Sequence, residues 1–193
     1  MKQGFVKAAS ATPAIRVADP VYNAQVICEQ MEEAVSHGAK IVVFPELCIT
    51  GYTCGDLFLP NLLLEEAKEA LLRITAQTAK MDAVILVGLP IEKDGRLYNV
   101  AAVLHHGDIL GMIPKKNIPS YGEFYEGRHF SSGKGVEGLK DITYRNINDD
   151  SFISGSYILK NFKLESQEEY DDEYDDEYDE EFDETEDTVS VGT

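Results

Sequence analysis

The order of apolar patterns along residues 4–113 constrains the fold more than any other feature of the sequence. Short apolar runs typical of strands alternate with segments in which apolar residues recur every three or four positions, as on one helix face. The resulting order is strand, helix, strand, helix, strand, followed by an antiparallel meander. We therefore predict the α/β class, with a mixed sheet flanked by helices.

Local signals mark where these elements begin and end. Asp19 and Pro20 suit the start of the first helix, Gly38 suits its end, and Pro60 opens the second. The predicted inner faces are Val21, Ala24, Cys28, Met31 and Val35 in the first helix and Leu64, Ala67, Leu71, Ile74 and Thr78 in the second. The predicted strands are residues 4–10, 41–44, 83–89, 97–105 and 109–113, with hairpin turns at Asp94-Gly95 and His106-Gly107.

One acidic residue lies at the end of a predicted buried strand. Pro45 ends the hydrogen-bonding ladder because it has no N–H, and Glu46 follows at once. Ligands of open α/β sheets bind at the carboxyl ends of strands, so Glu46 is a candidate general base. A carboxylate that caps a loop or pairs with a neighbour fits the same position.

A pair of lysines follows the last strand of the meander. Lys115 comes directly after Pro114, where the chain leaves the sheet, and Lys116 follows it. Lys115 can therefore point at the same rim as Glu46, where a cation stabilises an oxyanion. Two solvated surface lysines are the alternative interpretation.

The charge of the chain is concentrated in its last 30 residues. All 17 Lys and Arg lie at or before Lys163, whereas residues 164–193 contain 16 of the 35 acids. Such a segment has too little apolar surface to offset the entropy of ordering, so we predict a disordered acidic tail. It serves either as a solubilising extension or as an interaction tail for a basic partner.

Composition also bears on partners and location. The remaining 163 residues carry 19 acids against 17 bases, and no basic patch indicates nucleic acid. No apolar run approaches a membrane span, and we expect a cytoplasmic protein because three cysteines do not form a disulfide framework. Ser131 to Gly135 weakly resembles a phosphate-binding loop, but the earlier glycine and the following Ser or Thr are missing.

Several longer motifs resemble the nitrilase, or carbon–nitrogen hydrolase, superfamily. Within it, the chain is most similar to the N-terminal glutaminase domain of glutamine-dependent NAD⁺ synthetases. The resemblance covers about residues 1–130. The motifs include Val43-Phe44-Pro45-Glu46-Leu47, Gly51-Tyr52-Thr53-Cys54-Gly55-Asp56-Leu57-Phe58, Val87-Gly88-Leu89-Pro90 and Glu123-Phe124-Tyr125-Glu126.

The resemblance implies a fold and a set of residue roles. The family uses a Glu–Lys–Cys triad on an αββα sandwich, and this chain would form part of that sandwich. By the motif match, Glu46 is the general base and Lys115 steadies the tetrahedral intermediate. Glu123 corresponds to a further acid near the lysine, and Tyr121 helps to shape the glutamine pocket. The implied reaction releases ammonia from glutamine through a thioester.

The expected nucleophile is a cysteine well beyond Lys115, but the sequence has none after Cys54. A thioester requires a thiolate, and neither Glu46 nor Lys115 replaces one. We therefore favour the front half of a glutaminase domain without activity of its own. The alternatives are a carbon–nitrogen hydrolase with an unusual nucleophile, Cys48 or Cys54, and a non-catalytic interaction protein that works through the acidic tail.

These expectations divide the chain into three parts. Residues 1–130 are the glutaminase-like part, residues 131–163 are a diverged segment of uncertain fold, and residues 164–193 are the acidic tail. We expect glutamine as the small-molecule ligand, with a synthetase domain or further copies of the chain as partners. We expect no cofactor in this segment, because ATP and deamido-NAD⁺ would bind a synthetase domain.

Overall fold

Both helices begin where the sequence predicts, and the first ends just before Gly38, whereas the second ends before Thr78, which was predicted to lie on its inner face. The computed structural model describes residues 4–136, 138–145 and 152–159, so the predicted acidic tail lies outside the described residues. Helix α1 spans Pro20–Ser36, and the Asp19 side chain caps it by accepting a hydrogen bond from the N–H of Tyr22. Helix α2 spans Asn61–Gln77 and starts directly after Pro60.

The strands form one mixed sheet with the order β1-β2-β3-β4-β5-β7-β6. Strands β1, β2 and β3 are parallel, and β3, β4 and β5 form the predicted antiparallel meander. Strand β7 runs parallel to β5 and antiparallel to β6, so two strands come from residues 131–163, whose fold the sequence left uncertain. The bounds are Ala8–Ser10, Ile41–Val43, Val84–Lys93, Arg96–His105, Asp108–Pro114, Gly138–Arg145 and Phe152–Leu159 for β1 to β7.

Strand β3 is longer than predicted because the hairpin extends it. Asp94 and Gly95 both have positive φ angles, as the tight turn between twisted strands requires. The turn brings Pro90 to Lys93 into register with Arg96 to Asn99, so pairing continues past Leu89. This register places Asn99 near the end of β2, which matters for the site.

Both helices pack on one face of the sheet. The core between them contains Ala24, Ile27, Met31, Ala67, Leu71 and Ile74 from the helices and Val42, Ile85, Val87, Leu104 and Met112 from the strands. On the opposite face, Ile41 and Val43 are 36% and 41% exposed. The described residues therefore provide one helical layer and one sheet of the expected sandwich.

The inner face of α1 differs in part from the predicted one. Val21 is 56% exposed and Cys28 is only partly buried, whereas Asn23 and Ile27 are completely buried. The Asn23 side chain donates to the carbonyls of Arg16 and Ile49 and accepts from the N–H of Arg16. These three hydrogen bonds allow a polar residue to be completely buried on the inner face of α1.

Candidate active site

Glu46 lies in a tight turn that follows β2. The N–H of Cys48 donates to the carbonyl of Pro45 at 3.2 Å, and the N–H of Gly51 donates to the carbonyl of Leu47 at 2.7 Å. Leu47 adopts a φ angle of +52°, an uncommon value for a residue with a side chain. This turn holds the Glu46 carboxylate at the carboxyl end of the parallel strands.

Lys115 follows β5 and is held by backbone hydrogen bonds on both sides. Its N–H donates to the carbonyl of Asn99 at 2.8 Å, and its carbonyl accepts from the N–H of Gly133 at 2.8 Å. The Asn99 side-chain amide also donates to the Glu46 carboxylate. Asn99 on β4 therefore connects the two predicted catalytic residues.

The Lys115 ammonium group lies between two carboxylates. Its Nζ atom is 2.8 Å from Oε1 of Glu46 and 2.9 Å from both carboxylate oxygens of Glu126. The structure thus brings Glu46 and Lys115 into contact and adds a third charged residue. The cluster has two acids and one base at the rim of the sheet.

Glu126 is the site residue that the sequence-based prediction missed. It is 6% exposed, and its Oε1 also accepts a hydrogen bond from the Tyr52 hydroxyl at 2.8 Å. A buried carboxylate needs such partners to offset the loss of water. Glu126 is the last residue of the Glu-Phe-Tyr-Glu motif, so the motif contained the signal, but Glu123 was selected instead.

The close contacts change the proton affinities of two groups. Partial burial opposes the charge of Lys115, but the hydrogen bonds and charges of Glu46 and Glu126 outweigh it and raise the Lys115 pKa. Burial and the hydrogen bond to Glu126 raise the pKa of Tyr52 to about 12. Lys115 is therefore a cation, and Tyr52 a neutral donor, at neutral pH.

The two predicted substrate-binding residues lie beside the cluster. Glu123 is exposed and lines a cavity of about 200 Å³ whose other lining residues include Tyr52, Tyr125 and Glu126. Tyr121 is 72% exposed, packs edge-on against Phe124 and is not among the lining residues of this cavity. The further acid that contacts Lys115 is Glu126, and the binding roles of Tyr121 and Glu123 stay predictions.

A second cavity lies on the open face of the sheet. It has a volume of about 410 Å³ and reaches the rim at Glu46, Asn99 and Lys115. Its walls are mainly apolar and include Val43, Phe44, Leu86, Val100, Ala101 and Ile113. A substrate amide that entered from this side would meet the acid and the lysine together.

The cysteines near the site are not arranged as nucleophiles. Cys48 and Cys54 are buried, and burial raises the pKa of Cys48 to about 11 and also raises that of Cys54. The Cys48 thiol contacts the backbone of Gly88, and the Cys54 thiol donates to the carbonyl of Thr50 at 3.1 Å. Both thiols therefore stay protonated and packed at neutral pH.

The described residues contain neither a metal-binding cluster nor a helix that could span a membrane. Among residues 4–136, 138–145 and 152–159, no group of three or more His, Cys, Asp or Glu is arranged to hold a metal ion. Neither α1 nor α2, the helices of that same part of the chain, is long and apolar enough to cross a membrane.

The family model for carbon–nitrogen hydrolase matches residues 7–158. Because this range covers most of the sequence, the chain belongs to the carbon–nitrogen hydrolase family. The match extends past residue 130, and the division of the chain into three parts stays a prediction. The α/β fold and the resemblance expected from the motifs are confirmed.

Proteins with similar sequences include two glutamine-dependent NAD(+) synthetases. The glutamine-dependent NAD(+) synthetase of Mycobacterium tuberculosis is 37% identical over 137 residues, which is 71% of this chain and 20% of that protein. The Aquifex aeolicus protein of the same name is 36% identical over 118 residues, or 61% of this chain and 20% of that protein. The chain thus spans about a fifth of the length of these relatives.

Two solved structures are also similar to this chain. The glutamine-dependent NAD(+) synthetase of Cytophaga hutchinsonii aligns with a TM-score of 0.68 and 28% identity, covering 82% of this chain and 26% of that one. An amidase from Nesterenkonia sp. aligns with a TM-score of 0.56 and 21% identity, covering 70% of this chain and 51% of that one. The amidase likeness concerns the fold alone.

Proposed function

We propose that the chain carries the proton-transfer and charge-stabilising part of a glutamine amidohydrolase centre. The observation that carries this proposal is the Lys115 ammonium group, which lies within 2.9 Å of both Glu46 and Glu126. The choice of glutamine as substrate is supported by the name of the relatives, glutamine-dependent NAD(+) synthetase. In this proposal the ammonia released from glutamine is used for NAD⁺ synthesis.

The positions of the three charged residues suit three different roles. Glu46 is 41% exposed at its side chain and has a free path to the open cavity, as a general base requires. Lys115 offers positive charge where the amide oxygen becomes an oxyanion. Glu126 is buried, so its role is to keep Lys115 charged and in place.

The chain alone should not release ammonia from glutamine. Attack on the amide requires a thiolate, and the buried Cys48 and Cys54 are protonated at neutral pH. The same burial argues against the alternative of an unusual nucleophile. In this proposal ATP and deamido-NAD⁺ bind a synthetase domain. We expect that domain and further copies of the chain as partners.

An assay of ammonia release from glutamine tests the inactivity. We expect the full chain and Glu46→Gln to give the same background rate. A clear signal that disappears in Glu46→Gln would contradict the proposal, and its loss in Cys48→Ala or Cys54→Ala would identify the nucleophile.

A chimera tests the positive part of the proposal. Residues 7–136 of this chain would replace the matching segment of the Mycobacterium tuberculosis relative. We expect the chimera to release ammonia from glutamine, and Lys115→Met within it to lower the rate by about 100-fold or more, as loss of an oxyanion donor does. Lys116→Met, a neighbouring exposed lysine, is the matched control and should leave the rate unchanged. A chimera that melts cooperatively but is equally active with Lys115→Met would refute the assigned role.

A further inference from the structure

Gly88 of β3 lies directly against the turn that carries Glu46. A Cβ atom on Gly88 would lie 2.4 Å from the nitrogen of Leu47, 2.9 Å from the carbonyl oxygen of Pro45 and 3.0 Å from the carbonyl carbon of Glu46. All three obstacles are backbone atoms, so no side-chain rotation relieves the contact. A side chain at Gly88 must therefore displace the turn.

Hydrogen bonds fix the same turn to the same glycine. The N–H of Ile49 donates to the carbonyl of Gly88 at 3.1 Å, and the N–H of Gly88 donates to the Cys48 thiol at 3.4 Å. The turn is thus attached to β3 immediately after Glu46. Cys48 has a structural task here that does not require a thiolate.

Gly133 has the equivalent relation to Lys115. A Cβ atom on Gly133 would lie 2.6 Å from Cβ, 2.8 Å from the carbonyl oxygen and 2.9 Å from the carbonyl carbon of Pro114, the residue before Lys115. The N–H of Gly133 donates to the Lys115 carbonyl, and the Ser132 hydroxyl donates to the Lys116 carbonyl at 2.5 Å. The loop that weakly resembles a phosphate-binding loop therefore packs on the backbone around Lys115.

We propose that Gly88 and Gly133 are positioning residues that set the contact between Glu46 and Lys115. One glycine admits the turn that bears the acid, and the other admits the peptide that precedes the lysine. Because the two charged atoms are 2.8 Å apart, a shift of about 1 Å on either side breaks their hydrogen bond. The importance of this contact for amide hydrolysis rests on the proposed function.

The test is the titration of Lys115 in the full chain, followed by NMR of the carbon next to its ammonium group. Lys115→Arg assigns the signal, because arginine keeps a cation beside Glu126 but removes the lysine resonance. Glu46→Gln should lower the Lys115 pKa, because it removes one of the two carboxylates that favour the charge. We expect Gly88→Ala and Gly133→Ala to lower the Lys115 pKa as well, since each substitution separates Lys115 from Glu46.

Two controls distinguish positioning from a general loss of stability. Gly127→Ala makes the same change beside Glu126, but its Cβ would meet the Ser120 hydroxyl, a side-chain group that can rotate away and exchange its one hydrogen bond with the Gly127 N–H for water. Ile85→Val removes a buried methylene from β3 and should lower the melting temperature alone. Both controls should leave the titration of Lys115 unchanged.

Thermal melts identify the variants that fold. A folded Gly88 or Gly133 variant whose Lys115 titrates as in the unsubstituted chain overturns the proposal for that glycine. If Gly88→Ala does not fold, Gly133→Ala still provides a decisive measurement from the lysine side. Glutamine takes no part in the titration, so an unchanged Lys115 pKa would contradict the positioning role but not the proposed function. Conversely, an inactive chimera would contradict the proposed function but not the positioning role.

Discussion

At the scale of single residues, the main feature is a buried carboxylate that depends on one lysine. Glu126 has a side chain that is 5% exposed, and its partners are the Lys115 ammonium group and the Tyr52 hydroxyl. Taking an acid out of water costs several kcal/mol, and the nearby cation offsets that cost. The same contact keeps Lys115 charged, so stability and the proposed chemistry depend on the same pair.

Lys115→Met should therefore destabilise the chain by about 3–5 kcal/mol, because it leaves Glu126 buried without a cation. Urea unfolding measures this loss. Lys116→Met removes an exposed neighbouring lysine and should change stability by less than about 0.5 kcal/mol.

The double variant Lys115→Met with Glu126→Gln should be less unstable than Lys115→Met alone, since the uncompensated charge is gone. Equal unfolding midpoints for Lys115→Met and Lys116→Met would show that the contact with Glu126 has no stabilising effect.

At the scale of elements, sequence patterns predicted the parts that local interactions define. The cap of α1 at Asp19, the tight turn at Asp94-Gly95 and the position of Glu46 after β2 depend on neighbouring residues. Glu126 escaped prediction because Glu123 lies three residues away in the same motif, and only the fold decides which of them reaches Lys115. The burial of Asn23 escaped prediction for the same reason, since one of its partners, Ile49, lies 26 residues away and is brought to it by the fold.

Asn23 connects α1 to the end of the turn that carries Glu46. Asn23→Ala should destabilise the chain by about 2–3 kcal/mol, because it leaves the buried carbonyl of Ile49 and the part-buried N–H and carbonyl of Arg16 without their partner. Urea unfolding gives the measurement. Gln25→Ala changes an exposed amide on the same helix and should cost less than about 0.5 kcal/mol. A similar small loss in both variants would mean that the Asn23 bonds are replaced by water.

At the scale of the whole molecule, the two faces of the sheet differ. Both α1 and α2 cover one face, whereas on the other Ile41 and Val43 are 36% and 41% exposed beside the apolar walls of the 410 Å³ cavity. Sheets that are apolar on both faces normally pack on a second layer. An uncovered face of this kind should make the chain marginally stable.

The full chain should accordingly bind a hydrophobic dye such as ANS under native conditions, because the dye finds exposed apolar surface. Ile41→Thr combined with Val43→Thr keeps β-branched residues in β2 and makes this face more polar, so we expect weaker dye fluorescence with little change in melting temperature. Val21→Thr is the matched control, since Val21 is exposed on α1, away from the open face. If the dye does not bind and the chain is a monomer with a sharp cooperative melt, the open face does not destabilise the chain and this prediction is wrong. Strong binding that Val21→Thr reduces as much as the β2 double variant would place the apolar surface elsewhere.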